Sequence, residues 1–288
     1  MIGLSSDFVK ISIEDLPRYS QWPKRLLSLE NFDVMFKTEK EVLREFQDDK
    51  WGNLLEDVKR MHQPTLLDIE RLADGADKET ACYVNNEFYL ANLRQIHNQH
   101  LLIYEDTLRP YLDGASCLVE LGAGYGSKIF NLSDKPDFLD LPLYAGEYTK
   151  TGCDLISLIG KMLNKRVTVG HCDFRKLKLE NMTIPEGAVI FTSYAVHYVP
   201  ELQNDFVNFI ANLKPKVVVH FEPCFEHHSN SSLHGLMCKR YAELNDYTRN
   251  LMSVLVAGKE TLGISVKTQP NVIGGNPFLP MSIIEWTL

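Results

Sequence analysis

The chain has 288 residues, 44% apolar, 24% charged and 10% aromatic, which is the composition of an ordinary folded protein and too hydrophobic for a disordered one. Thirty Lys and Arg against 38 Asp and Glu leave a net charge of −8 with no compact basic run, so a general binder of the nucleic-acid backbone is disfavoured. The apolar runs fall far short of the ~20 residues of a membrane span, the N-terminus lacks the basic flank and apolar core of a secretory signal, and six cysteines without a CxxC pair read as reduced thiols of a cytoplasmic chain.

Residues 1–110 read as helical, without strong strand signals. Thr38 followed by Glu41 has the spacing of a capping box ahead of Val42, Leu43 and Phe46, and Thr80–Leu108 reads as one long helical stretch ended by Pro110. From Ser116 the character changes. Short β-branched runs (Cys117–Leu121, Leu143–Glu147, Val167–His171, Ala188–Ser193, Val217–Phe221) alternate with amphipathic ones (Lys128–Leu132, Asp154–Leu163, Leu202–Leu213, Leu233–Leu255). Such alternation predicts an α/β fold with a doubly wound, mostly parallel sheet. Two last runs, Gly263–Asn271 and Met281–Thr287, flank Gly274, Gly275, Asn276 and Pro277, which suit the turn of an antiparallel hairpin.

The first of these strands runs into VELGAGYG, with Gly122, Gly124 and Gly126 around Ala123. Glycines there let a ligand approach the backbone, and the next helix presents free amides. Ser127 stands where a dinucleotide fingerprint has its third glycine, and the carboxylate of Glu120 would repel a pyrophosphate but complements an ammonium or a sulfonium. The second strand ends at Glu147, an acid placed to accept both hydroxyls of a ribose. After the third come Asp173, suited to an adenine amino group, and Phe174, suited to stack on the ring.

With these elements in register, residues 116–288 resemble the class I S-adenosylmethionine-dependent methyltransferases. The likeness is carried by VELGAGYG, Glu147, HCDF, FTSYAVHYVP, LKPKVVVHFEP and IGGNPFLPMSIIEW. The resemblance implies a seven-stranded sheet with a reversed last strand and S-adenosylmethionine over the C-terminal strand ends. Carried over by position, Glu120, Gly122, Ala123, Gly124 and Gly126 line the methionine part, Glu147 the ribose, Asp173 and Phe174 the adenine, and Ser193 and Tyr194 the far wall. Residues 1–110 would form a lid or substrate-binding region and residues 111–288 the cofactor domain.

His197, Glu222 and His220 are the candidate bases or substrate orienters, His197 because it lies where acceptor-facing residues of this fold cluster and Glu222 because it ends the fifth strand. A histidine bonded into the sheet edge is the competing reading for His197. Arg94 is a candidate partner of the methionine carboxylate, against a solvated surface role. Cys224, His228, His234 and Cys238 supply zinc-type ligands, but not at a common zinc spacing, and no metal is expected. The expected activity is methyl transfer to a polar N or O acceptor, a small metabolite or a peptide side chain, as in tailoring enzymes, with no nucleic acid and no membrane as partner. An NAD-type oxidoreductase and a non-catalytic scaffold are the alternatives.

Overall fold

A computed structural model of the protein describes residues 7–33, 38–75 and 78–288. Its strands are β1 (Val9–Ile11), β2 (Glu79–Val84), β3 (Glu87–Asn92), β4 (Leu118–Leu121), β5 (Leu143–Glu147), β6 (Val167–Asp173), β7 (Lys178–Glu180), β8 (Val189–Ser193), β9 (Val217–Pro223), β10 (Ser265–Gly274) and β11 (Met281–Thr287). They form one sheet in the order β1-β3-β2-β10-β11-β9-β8-β4-β5-β6-β7. From β9 through β6 the neighbours are parallel, and β10 and β11 are an antiparallel pair laid against β9.

The sheet therefore has eleven strands among the described residues, and the expectation of seven is corrected. Three of the additional strands come from the region read as helical. Residues 79–92 are a hairpin, β2 and β3, whose two-residue loop Asn85–Asn86 has both φ angles positive, at 48° and 69°. Positive φ at both central positions is the turn that matches the strands' twist, and Asn tolerates it better than most residues. The helix once expected from Thr80 begins only at Leu93. Asn92 caps it by accepting the Gln95 N–H at 2.9 Å, while the Gln95 side chain accepts the Asn92 N–H at 2.9 Å. The Thr38–Glu41 capping box is present as read from sequence. Leu233–Leu255 divides into two helices, Leu233–Leu244 and Leu251–Leu262, broken around Asp246 at φ 51°.

Strand period fixes the core. In β4, Leu118 packs on one face of the sheet with helices Leu93–Leu108, Ser127–Leu132 and Lys150–Met162, and Val119 and Leu121 pack on the other with Phe206–Ala211 and Leu251–Leu262. Both faces are covered, which is why the parallel strands are buried and β-branched. The chain passes from β4 outward to β5 and β6, then crosses back to β8 and β9 on the other side of β4. That reversal opens a crevice at the C-terminal ends of β4 and its neighbours. No helix among the described residues is long and apolar enough to cross a membrane.

Candidate active site

A cavity of about 420 Å³ lies over those strand ends. Its floor is the glycine loop after β4, with Glu147 and Tyr148 at the end of β5, Cys172–Arg175 at the end of β6 and Ser193–Ala195 at the end of β8. Its roof is N-terminal: Val42, Phe46 and Trp51, with Glu70 and Asp74 from helix Leu66–Asp74 and the inner side of helix Leu93–Leu108.

The loop is held by carboxylates. Gly122, Gly124 and Gly126 have φ of 79°, 60° and 85°. Gly124 donates its N–H to Glu147 Oε2 at 3.0 Å, and Glu147 Oε1 accepts the Thr149 N–H at 3.0 Å and its hydroxyl at 2.9 Å. Burial raises the Glu147 carboxyl above its usual range, and the Thr149 amide and hydroxyl and the Gly124 amide oppose that rise. From the roof, Asp74 accepts the Tyr125 hydroxyl and Glu70 accepts Ser127 Oγ and, at 2.6 Å, Asn131 Nδ2. Asp173 Oδ1 accepts the Arg175 and Lys176 amides at 2.9 and 3.1 Å, and Oδ2 lies 3.3 Å from Lys176 Nζ. Lys176 also reaches Glu39 at 2.7 Å, tying the N-terminal segment across the cleft.

No model of a known protein family matches the chain, and no curated protein matches it. Among solved structures it is similar to magnesium protoporphyrin IX methyltransferase from Synechocystis PCC 6803 with bound S-adenosylhomocysteine, at 12% identity over 86% of this chain and 99% of that one, with a TM-score of 0.49. It is similar also to an O-methyltransferase from Bacillus cereus in complex with S-adenosylhomocysteine, at 13% identity over 84% and 92% of the two chains and a TM-score of 0.44. A small RNA methyltransferase is a third, at 15% identity over 69% of this chain and 28% of that one, with a TM-score of 0.47. At such identities and TM-scores the likeness says nothing of what this chain acts on.

Of the residues expected at a cofactor, Gly122, Ala123, Gly124, Glu147, Asp173, Phe174, Ser193 and Tyr194 all line the cavity. Glu120 does not. It points to the sheet face under helix Ser127–Leu132, where Oε2 accepts the Ile129 N–H at 3.1 Å and Oε1 has no hydrogen-bond partner. Gly126 is likewise behind the loop, packed on Phe130. Burial pushes the Glu120 carboxyl from 4.5 up to about 7. Between those values the folded chain keeps a proton that the unfolded chain has released, so stability declines as pH rises through the window, by ~3 kcal/mol at most. Glu120→Gln keeps an acceptor for Ile129 and is expected to raise Tm at about pH 8 and flatten the decline from about pH 5. An unchanged Tm profile would contradict a buried, costly charge.

The three candidate bases and Arg94 are off the cavity wall. Alternation does place His220 and Glu222 on one face of β9, but it is the face covered by Phe206–Ala211 and Leu251–Leu262. His220 is fully buried, accepting the Trp286 indole N–H at Nε2 (3.1 Å) and meeting Thr192 Oγ1 at 3.0 Å through Nδ1. Burial lowers its pKa to about 4, so it is a neutral pin between strands. Glu222 receives the amides of Ala195 (2.9 Å) and Val196 (3.1 Å), with His197 Nδ1 at 3.4 Å. Burial works to raise its pKa, but the His197 contact and these amides outweigh it and the net direction is down. The Glu222–His197 pair thus anchors the turn that carries Tyr194, itself at φ 49°. Arg94 follows Leu93 on its helix, and one residue is a rotation of ~100° away from the inner side. Leu93 lines the cavity and Arg94 does not.

Sequence reading passed over the inner side of that helix, where Leu93, Ile96, His97, His100, Leu101 and Tyr104 face the cavity. Their 3- and 4-residue spacing was the available signal. Among the described residues no three His, Cys, Asp or Glu are grouped to hold a metal, and His234 Nε2 instead donates to the Pro277 carbonyl at 2.7 Å.

Proposed function

We propose that the chain is an S-adenosylmethionine-dependent methyltransferase acting on a polar N or O acceptor of a small metabolite or peptide side chain. The observation that carries this reading is the meeting of a glycine loop with two strand-end carboxylates, Glu147 and Asp173, in one cavity at the switch point of the sheet. The donor set suits the group. Trp51 lines the cavity with the carbon edge of its ring against Gly124, and its buried indole N–H has no hydrogen-bond partner among the described residues, a donor that a bound nucleoside or amino acid could use. Glu147 Oε2, with one protein donor, has capacity for a ribose hydroxyl. Asp173 Oδ2 would share the adenine amino group with Lys176, beside the ring of Phe174.

S-adenosylmethionine supplies an electrophilic methyl group on a sulfonium. The chain's residues bind, align and exclude water. Val42, Phe46 and Trp51 form the cover over the strand ends, so residues 1–110 act as a lid and acceptor wall. The cavity carries four carboxylates, Glu70, Asp74, Glu147 and Asp173, against Lys50, Lys128 and Arg175. This balance favours a neutral acceptor over a polyanion such as RNA. Isothermal titration with S-adenosylhomocysteine is expected to give micromolar or tighter binding at one site per chain, with none for NAD. Binding of NAD instead would sink the reading.

A further inference from the structure

The roof helix holds a polar group that no described residue uses. His100 is 7% exposed and lines the cavity. Its Nδ1–H donates to the Ile96 carbonyl one turn back, at 2.9 Å, which fixes the tautomer and leaves Nε2 as a lone-pair acceptor. Nε2 has no hydrogen-bond partner among the described residues. An unpaired buried acceptor is a cost that a ligand donor would remove. The ring lies between two aromatic neighbours, with centroids 6.1 Å from Tyr104 and 5.9 Å from Tyr194. Tyr104 in turn meets Ser193 Oγ at 2.9 Å, at the end of β8 and beside the site proposed for the cofactor.

We propose that His100 is the specificity-determining contact of the acceptor site, and that the acceptor is a neutral, largely apolar molecule presenting an O–H or N–H to Nε2. The inference rests on the methyltransferase reading above. A carboxylate or phosphate would meet a lone pair at Nε2, not a donor, in a cavity where Glu70, Asp74, Glu147 and Asp173 outnumber Lys50, Lys128 and Arg175. An apolar body suits the neighbouring Leu93, Ile96 and Leu101. Burial holds the imidazole neutral, its pKa pushed down to about 3, so it stays an acceptor throughout the working range. His100 is a positioning residue: accepting the donor's hydrogen bond fixes which side of the O or N faces the strand ends.

The probes are 4-ethylphenol, 4-ethylbenzamide and 4-ethylbenzoate, which share a ring and differ in donor and charge. Wild-type protein saturated with S-adenosylhomocysteine is expected to bind the phenol or the amide at least ~10-fold more tightly than the benzoate. In protein labelled with 15N-histidine, binding should move the Nε2 resonance of His100. His100→Phe keeps the ring and removes the lone pair. It should bind S-adenosylhomocysteine within about twofold of wild type and lose ~10-fold or more in probe affinity, with His100→Gln restoring part of it. Equal probe affinity in His100→Phe, preference for the benzoate, or no binding of any probe beside intact S-adenosylhomocysteine binding would each overturn the proposal. Failure to bind S-adenosylhomocysteine would overturn the methyltransferase reading instead.

Discussion

Glu147→Ala is expected to weaken S-adenosylhomocysteine binding ~100-fold, read by isothermal titration. The carboxylate does two things at once. Oε2 accepts the Gly124 amide and so sets the shape of the glycine loop, and Oε1 is bound by the Thr149 amide and hydroxyl, which fixes the side-chain rotamer. A charge-assisted hydrogen bond to a ribose hydroxyl contributes ~1.5–3 kcal/mol, and a loop that must be reordered on binding adds to the loss. Glu147→Gln keeps the size and one acceptor oxygen, so a loss nearer ~10-fold separates charge from shape. Wild-type affinity in the Ala variant would remove Glu147 from the cofactor site.

The second large effect falls on stability. A Cβ built on Gly122 would lie 2.2 Å from the Ala195 Cβ, at a φ of 79°. Left-handed backbone costs a side chain ~1–2 kcal/mol, and this contact cannot be relieved by turning a rotamer, because both partners are Cβ atoms fixed to backbone. The loops after β4 and β8 must move apart, in a region where Glu222 already pins the second of them. Gly122→Ala should therefore lose ~3–5 kcal/mol and about 10 °C in Tm by thermal denaturation. Gly124→Ala is the milder control. Its φ of 60° carries similar backbone strain, but its Cβ would meet the edge of the Trp51 ring at 3.1 Å, and a side chain can shift. A Tm within about 3 °C of wild type for Gly122→Ala would mean that the two loops are not in contact in solution.

The parallel half of the fold was legible because its signals are local. A β-branched run such as Val217–Val219 excludes most alternatives within a few residues, and β5 has the bounds read from sequence, Leu143–Glu147. The glycine loop, Glu147 and Asp173 were legible for the same reason: each is defined by its distance from the end of a strand. The Asn85–Asn86 turn was equally local and was missed because the apolar residues around it also fit a helical spacing.

Period two says that His220 and Glu222 share a face, and nothing in β9 says which helices will cover it. Only packing set that face against Phe206–Ala211 and Leu251–Leu262, making a core pin and a loop anchor of two expected bases. The same holds for Glu120, which turns under a helix although Gly122, two residues on, lines the cavity. His100 came to the cavity because helix Leu93–Leu108 lies across the strand ends: the spacing of its own residues marks an inner side, but not what that side will face. Backbone period and turn chemistry act over a handful of bonds and can be read along the chain. The partner of each buried face depends on elements a hundred residues apart, and is decided when they pack.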